Sequence, residues 1–318
     1  MNPRYLSHTS KDNLKAVSSA FNERLSSCDL CPRKCGVNRL QGELGYCGLG
    51  RYSKVYTSMP HRGEEPVLSG VNGSGTVFFS HCNLRCVYCQ NHQFSWEGKG
   101  EEVNSFQLAD SFLELQDLGC HNLNLVTPTH VVPQIIEALI LAIDKGFSLP
   151  IVYNTSGYDS LKTIQMLASI VDIYLPDMRY GDDAAAYTFS GCLDYVSINR
   201  QIIKEMFAQV GDLVTDNGVA ISGLIVRHLV LPSLGESTHN VLKFIANDLS
   251  PDMPISLMRQ YEPVHKACEH PVINRRITHA EYAYAESLLE KYGFKNGWIQ
   301  DQIDTHERQE FLGEFFND

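Results

Sequence analysis

Apolar residues along this chain recur with two periods that take turns. Near the N-terminus Leu14, Val17, Phe21 and Leu25 lie 3, 4 and 4 apart, one face of a helix over residues 10–27. An apolar run at 77–79 reads as a strand. Ser105 then caps a helix that carries Leu108, Phe112 and Leu115 and stops at Gly119, and residues 121–126 alternate as a strand. The exchange repeats through helix 131–145, strand 150–154, helix 160–169 and strand 171–175. A short helix near Asp183 and another over 200–209 precede residues 219–231, which are strand-like with Gly223 inside. Helix 237–248, strand 255–258 and a last helix over 278–292, closed by Gly293, complete the series. Two segments stand outside it. Residues 48–75, rich in Gly, Ser and Pro, predict an extended connection, and 94–104, polar and glycine-containing, predict a surface loop near the site. Strands alternating with helices pair in parallel through right-handed crossovers, so the chain is an α/β protein of about six units.

At 318 residues and 43% hydrophobic content, the chain can bury a sizeable core, as one large domain with an appendage or as two. A formal charge of -11 argues against a nucleic-acid partner. The N-terminus lacks the apolar stretch of a signal peptide, and no run approaches about 18 uninterrupted apolar residues. A cytoplasmic protein without membrane contact is expected. Thiols stay reduced in that compartment, so ten cysteines point to metal ligation before disulfides.

Seven of the ten fall in two tight groups. In TVFFSHCNLRCVYCQ, Cys82, Cys86 and Cys89 follow the first strand at C-x3-C-x2-C spacing. A structural zinc or an ordinary four-iron cluster takes four protein ligands, so three thiolates leave one iron open. The alternatives are a zinc loop with a distant fourth ligand and buried free thiols. The other group, Cys28, Cys31 and Cys35 in CDLCPRKC with Cys47 in GYCG, supplies four thiolates and makes a closed site. Tetrahedral sulfur suits zinc and iron-sulfur alike, and an unmetallated redox set is the third reading.

With Tyr88 ahead of the third cysteine, the first motif resembles the radical S-adenosylmethionine superfamily. The nearest group is the PflX-like branch of the pyruvate formate-lyase activating enzyme relatives, some of which resemble the chain at the N-terminal cysteines as well. The resemblance covers about residues 75–263. It implies a partial (β/α)6 TIM-type barrel over 71–265, with an N-terminal helix and four-cysteine element over 1–70 and a helical extension over 266–318 packed on the barrel. It also implies a [4Fe-4S] cluster on Cys82, Cys86 and Cys89, with S-adenosylmethionine on its open iron. An electron from flavodoxin or ferredoxin would release a 5'-deoxyadenosyl radical for hydrogen abstraction.

In such barrels the working residues follow the strand ends. After strand two the chain reads VTPTH where the relatives carry a GGE-type turn; Thr127 and Thr129 offer hydroxyls in place of its carboxylate. NTSG resembles the relatives' TNG-type element and offers Asn154 and Ser156 to the cofactor. PDMR resembles their DLK element, with Asp177 and Arg179. IVRHLVLP resembles VRY-VVVPG and presents Arg227, either to the cofactor's carboxylate or to an ion pair at the core rim. Tyr261, in LMRQYEP, stands where the relatives have a histidine near adenosine. Cys120, Cys192 and Cys268 stand alone and read as small buried residues, and His265, His270 and His279 as scattered surface histidines.

The resemblance implies a radical enzyme acting on a peptide, protein or small molecule. A glycyl-radical activase is the alternative, although activases with extra clusters generally place those cysteines after the radical motif, and here they precede it. A non-catalytic iron-sulfur or zinc-binding protein is the third reading.

Overall fold

The computed structural model describes residues 2–300, and in them the alternating periods become the wall of a barrel. A short helix α1 (Arg4–Ser7) leads into α2 (Lys11–Glu23), where the Ser10 side chain accepts the Asn13 N–H and so caps the first turn. Leu14, Phe21 and Leu25 share one apolar cluster with Ile135 and Leu139, so the periodic face of α2 is spent on the barrel's outer helices.

Residues 48–75 are not a bare connection. They contain strand β1 (Ser53–His61) and a single-turn helix α3 (Pro66–Ser69) before strand β2 (Ser74–Phe79). β1 runs antiparallel to β2 with His61 opposite Ser74, which makes it part of the barrel sheet and not of the N-terminal element. Its burial is half-and-half, without the strict alternation or apolar run that marks a strand in sequence. The loop after β2 contains helix α4 (His92–Ser95) and strand β3 (Glu101–Val103), which pairs with β1.

From there the chain follows the expected order. Asn104, and not Ser105, caps helix α5 (Ser105–Asp117), in a capping box with Gln107. Strand β4 (Leu123–Val126), helix α6 (Val132–Ile143), strand β5 (Ile151–Thr155), helix α7 (Leu161–Met166) and strand β6 (Ile173–Pro176) come next. Helices α8 (Asp183–Ser190) and α9 (Tyr195–Val210) follow, α9 starting a turn and more before residue 200. The segment 219–231 is two strands: β7 (Val214–Asp216) and β8 (Val219–Leu224) form a hairpin, and β9 (Val226–Leu229) resumes after Ile225. Gly223, at φ 124°, sits where a Cβ would meet the Leu213 backbone at 2.5 Å, so this close crossing of the hairpin needs glycine. Helix α10 (Gly235–Phe244), strand β10 (Ile255–Met258), helix α11 (His279–Tyr292) and strand β11 (Gly297–Ile299) close the described chain.

β2, β4, β5, β6 and β8 lie side by side in parallel, as do β9, β10 and β11. A parallel bridge between Asp177 and Arg227 joins the two sheets. Counting β8 and β9 as one interrupted strand, the wall has six parallel members from β2 to β10, an α/β partial barrel. Along β4, Leu123 and Leu125 pack outward with Phe112 and Leu139, while Val126 faces the interior. Leu68 of α3 packs with Val152, Ile173 and Leu175 and closes the end of the barrel where the strands begin. In the segment read as a helical extension over 266–318, α11 packs on α10 and β11 adds a parallel strand to β10, while residues 301–318 lie outside the described residues. None of the described helices is long and apolar enough to cross a membrane.

Candidate active site

The first cysteine loop begins where β2 ends. His81 and Arg85 take left-handed backbone, φ 68° and 57°, and curl the chain so that Cys82, Cys86 and Cys89 all line one cavity. Each sulfur has a donor. The Leu84 N–H reaches Cys82 Sγ at 3.3 Å, the Ser190 hydroxyl reaches Cys86 Sγ at 3.1 Å, and the Ser95 hydroxyl reaches Cys89 Sγ at 3.1 Å. Burial pushes the Cys82 thiol up to about 12 and raises Cys89 as well, so a metal has to displace protons there. No fourth cysteine lines the cavity. Three thiols, one buried and two half-buried, each with a hydrogen-bond donor, fit a cluster with one open iron. Among the described residues no three His, Cys, Asp or Glu side chains stand as a single metal ion would need them.

The cavity holds about 330 Å³, at the small end of the range for a small-molecule site. Of the residues read from strand ends, Thr127, Asn154, Ser156, Asp177, Arg179 and Arg227 line it. Thr127 does so at φ 58°, a left-handed conformation that a β-branched residue takes at a cost of about 1–3 kcal/mol. Ser156 is 6% exposed and its Oγ has no partner; Arg179 Nε is likewise buried and unpartnered. Such orphaned polar atoms leave hydrogen bonds for a ligand to make. Asp177 accepts from Arg179 Nη2 at 2.6 Å. Burial nonetheless raises the Asp177 carboxyl above its ordinary range, against the pull of Arg179 and Arg227.

Three expected contacts lie elsewhere. Tyr88 is buried with its hydroxyl donating to Tyr180 at 2.8 Å, and Tyr180 shares a hydrogen bond with Ser190, so the aromatic supports the hydroxyl that touches Cys86. Thr129 is buried behind the wall, its hydroxyl 3.3 Å from that of Thr155. Tyr261 donates to the Ile273 carbonyl at 2.7 Å and packs edge-on against Tyr88. Met258 and Gln260 line the cavity instead, because side chains alternate along β10 and its continuation.

Arg227 is already engaged. Its Nε and Nη2 clasp the two oxygens of Glu65 at 2.7 and 2.6 Å, and Nη2 also meets Glu64. Of the two roles open to Arg227 in sequence, the ion pair is therefore occupied. Burial alone would raise Glu65, but the guanidinium more than offsets it and holds the carboxyl below its ordinary range. Both glutamates come from the strap between β1 and α3, which lines the cavity with Gly63 and Pro66. They fell inside the segment read as a connection; the adjacent acids in GEEP were the one signal there. With Asp177, three carboxylates then face the guanidiniums of Arg179 and Arg227.

Cys28, Cys31, Cys35 and Cys47 do not reach this cavity but sit against the back of its cysteine loop. Arg33, within CPRKC, donates to the carbonyls of Asn83 at 3.1 Å, Ser190 at 2.8 Å and Gly191 at 2.6 Å. Its guanidinium lies 3.9 Å from the Tyr46 ring, and the Tyr46 carbonyl accepts from Arg85 at 3.2 Å. Of the solitary cysteines, Cys120 and Cys192 are buried as expected, whereas Cys268 is exposed on a short 3-10 turn. His265 is not a loose surface residue: its ring stacks on His92 at 4.8 Å.

No protein-family model matches the chain. A solved structure described as native anSMEcpe with bound AdoMet aligns with a TM-score of 0.47 at 12% identity, over 69% of this chain and 61% of that one. The chain thus spans less than two thirds of that structure's length. Among curated proteins, the uncharacterized protein MJ0674 of Methanocaldococcus jannaschii is 31% identical over 278 residues, 84% of this chain and 75% of that protein. On that extent of identity, the chain belongs to the same family as MJ0674.

Proposed function

We propose that this protein is a radical S-adenosylmethionine enzyme that abstracts hydrogen from a peptide, protein or small-molecule substrate. The observation that carries the reading is the convergence of Cys82, Cys86 and Cys89, each with a hydrogen-bond donor, on a cavity with no fourth cysteine. When bound, a [4Fe-4S] cluster and S-adenosylmethionine supply one-electron cleavage to a 5'-deoxyadenosyl radical. The chain's residues bind, orient and exclude water. Arg179, with an unpartnered Nε, receives the cofactor's carboxylate. Ser156 and Asn154 offer hydrogen bonds along β5, and the strained Thr127 turns its backbone toward the same space. Arg227 keeps the strap in place through Glu64 and Glu65. Phe78 and Phe94, in edge-on contact at 5.9 Å, give the cavity an apolar side that restricts water. The electron comes from a small donor such as flavodoxin or ferredoxin.

The test is anaerobic turnover with dithionite and S-adenosylmethionine, scored as 5'-deoxyadenosine. Wild type forms it and Cys86→Ala does not, because a cluster ligand is gone. Equal product from the variant would remove the assignment.

A further inference from the structure

Arg39 is the largest fully buried side chain among the described residues, at 0% exposure, in a single 3-10 turn between the third and fourth cysteines of the N-terminal element. Its Nε donates to the Gly50 carbonyl and its Nη1 to the His130 carbonyl, both at 2.8 Å, and its Nη2 has no partner. No carboxylate answers it. The arginine ion pairs among the described residues belong to Arg24, Arg179, Arg227, Arg275 and Arg276. A guanidinium buried without counter-charge costs several kcal/mol, on the order of the penalty for any unpaired internal ion. The nearby titratable groups are His130, which burial holds neutral, and Cys47, whose thiol feels the Arg39 charge.

Backbone bonds fold the four cysteines onto one another: the Cys28 N–H donates to the Val37 carbonyl at 2.9 Å, the Gly36 N–H to the Cys28 carbonyl at 3.0 Å and the Lys34 N–H to the Cys31 carbonyl at 3.1 Å, and a Cβ on Gly45, two residues before Cys47, would come within 3.2 Å of Cys35 Sγ. Backbone N–H groups already point at sulfur. The Tyr46 N–H reaches Cys35 Sγ at 3.2 Å, the Arg33 N–H serves Cys31, and the Leu49 N–H serves Cys47. Burial nonetheless raises the Cys31 and Cys47 thiols, so a metal has to displace protons here as it does at Cys82. One zinc with sulfurs at about 2.3 Å would draw all four to within about 4 Å of each other. Among the described residues neither these four nor Cys82, Cys86 and Cys89 stand at the spacing a single ion needs. A cube of four irons and four sulfides holds its thiolates farther apart.

We propose that Cys28, Cys31, Cys35 and Cys47 hold an iron-sulfur cluster of their own, and that the buried Arg39 guanidinium is its counter-charge. Four thiolates around a doubly positive [4Fe-4S] core carry a net charge of -2, so the buried cation and the centre stabilise each other. Adding an electron makes the centre more negative, and Arg39 therefore favours the reduced state. The inference rests on residues other than those that carry the proposed reaction.

The experiment uses the full chain purified without oxygen, with iron, sulfide and zinc measured per chain. Wild type is expected to hold about eight irons, and the Cys28→Ala/Cys31→Ala and Cys86→Ala variants about four each, at complementary sites. In the Cys86→Ala background, Arg39→Met is expected to shift the remaining cluster to a lower midpoint potential and Arg39→Lys to restore most of it. One zinc per chain that disappears with Cys28 and Cys31, or an iron content indifferent to them, would overturn the proposal. An unchanged potential in Arg39→Met would overturn the role of the arginine. If instead Cys86→Ala lost no iron while the N-terminal variant did, the proposed reaction would fall and this centre would stand.

Discussion

At the residue scale the cavity separates two arginines that look alike in sequence. Arg179 gives one nitrogen to Asp177 and leaves Nε free, while Arg227 gives both Nε and Nη2 to two glutamates. A hydrogen bond to a charged group contributes about 1.5–3 kcal/mol. Arg179→Ala should therefore weaken S-adenosylmethionine binding by roughly 10- to 100-fold in anaerobic calorimetry, with the smaller loss of stability, because Asp177 still faces Arg227. Arg227→Ala should do the reverse. It leaves Glu64 and Glu65 buried and unpaired, a loss of about 3–5 kcal/mol in denaturant unfolding. Comparable affinity losses in both variants would show that the strap does not occupy Arg227 in solution. Local motifs singled out both arginines, and both line the cavity, Arg179 just past β6 and Arg227 within β9. The sequence could not show which was free, since Glu64 and Glu65 lie more than 160 residues from Arg227. Tyr261 illustrates the other limit: a step of one residue along an extended segment turns a side chain to the opposite face, and Ser256, Met258 and Gln260 are the ones that look inward.

At the element scale, a buried carboxylate joins the Arg4 and Tyr5 side-chain hydrogen bonds in tying α1 to the barrel. Asp172 accepts the Arg4 N–H at 2.7 Å and the Ile151 N–H at 2.8 Å, which joins α1 to the start of β5. Burial outweighs these bonds and raises the carboxyl to about 6. The folded protein thus holds this proton more tightly than the unfolded chain does, and the associated stability is present below about pH 4 and lost as pH rises through 6. Between pH 4.5 and 6.5 wild type should lose about 2 kcal/mol on this account. Asp172→Asn should lack that slope in urea unfolding followed at both pH values; equal slopes would remove Asp172 as the source. Long periodic elements such as α5 and α6 were legible from spacing alone, as was the order of strands. β1 was not, because a strand with half-buried residues on both faces lacks the alternation that marks one in sequence. Its partner across the sheet defines it.

At the scale of the whole molecule, the N-terminal element and the barrel meet through Arg33. The guanidinium spans the loop that begins at Cys82 and the end of α8, a fork of hydrogen bonds that a lysine cannot reproduce. Arg33→Lys should raise hydrogen exchange over residues 82–90 and lower the thermal midpoint, measured anaerobically by mass spectrometry and by circular dichroism. Exchange unchanged in that segment would mean that the two cysteine groups are positioned independently.

By itself the sequence determined what depends on neighbours along the chain: the alternation of helix and strand, the two cysteine spacings and the turn that follows each strand. These follow from periodicity and from the short reach of a loop, which a linear reading can measure. The tertiary structure decided what depends on distant segments meeting. The strap's glutamates against Arg227, the strand that begins the sheet, the burial of Arg39 beside four thiols and the docking of Arg33 all arise when the chain closes on itself. Burial then makes each unpaired charge costly enough to choose its partner.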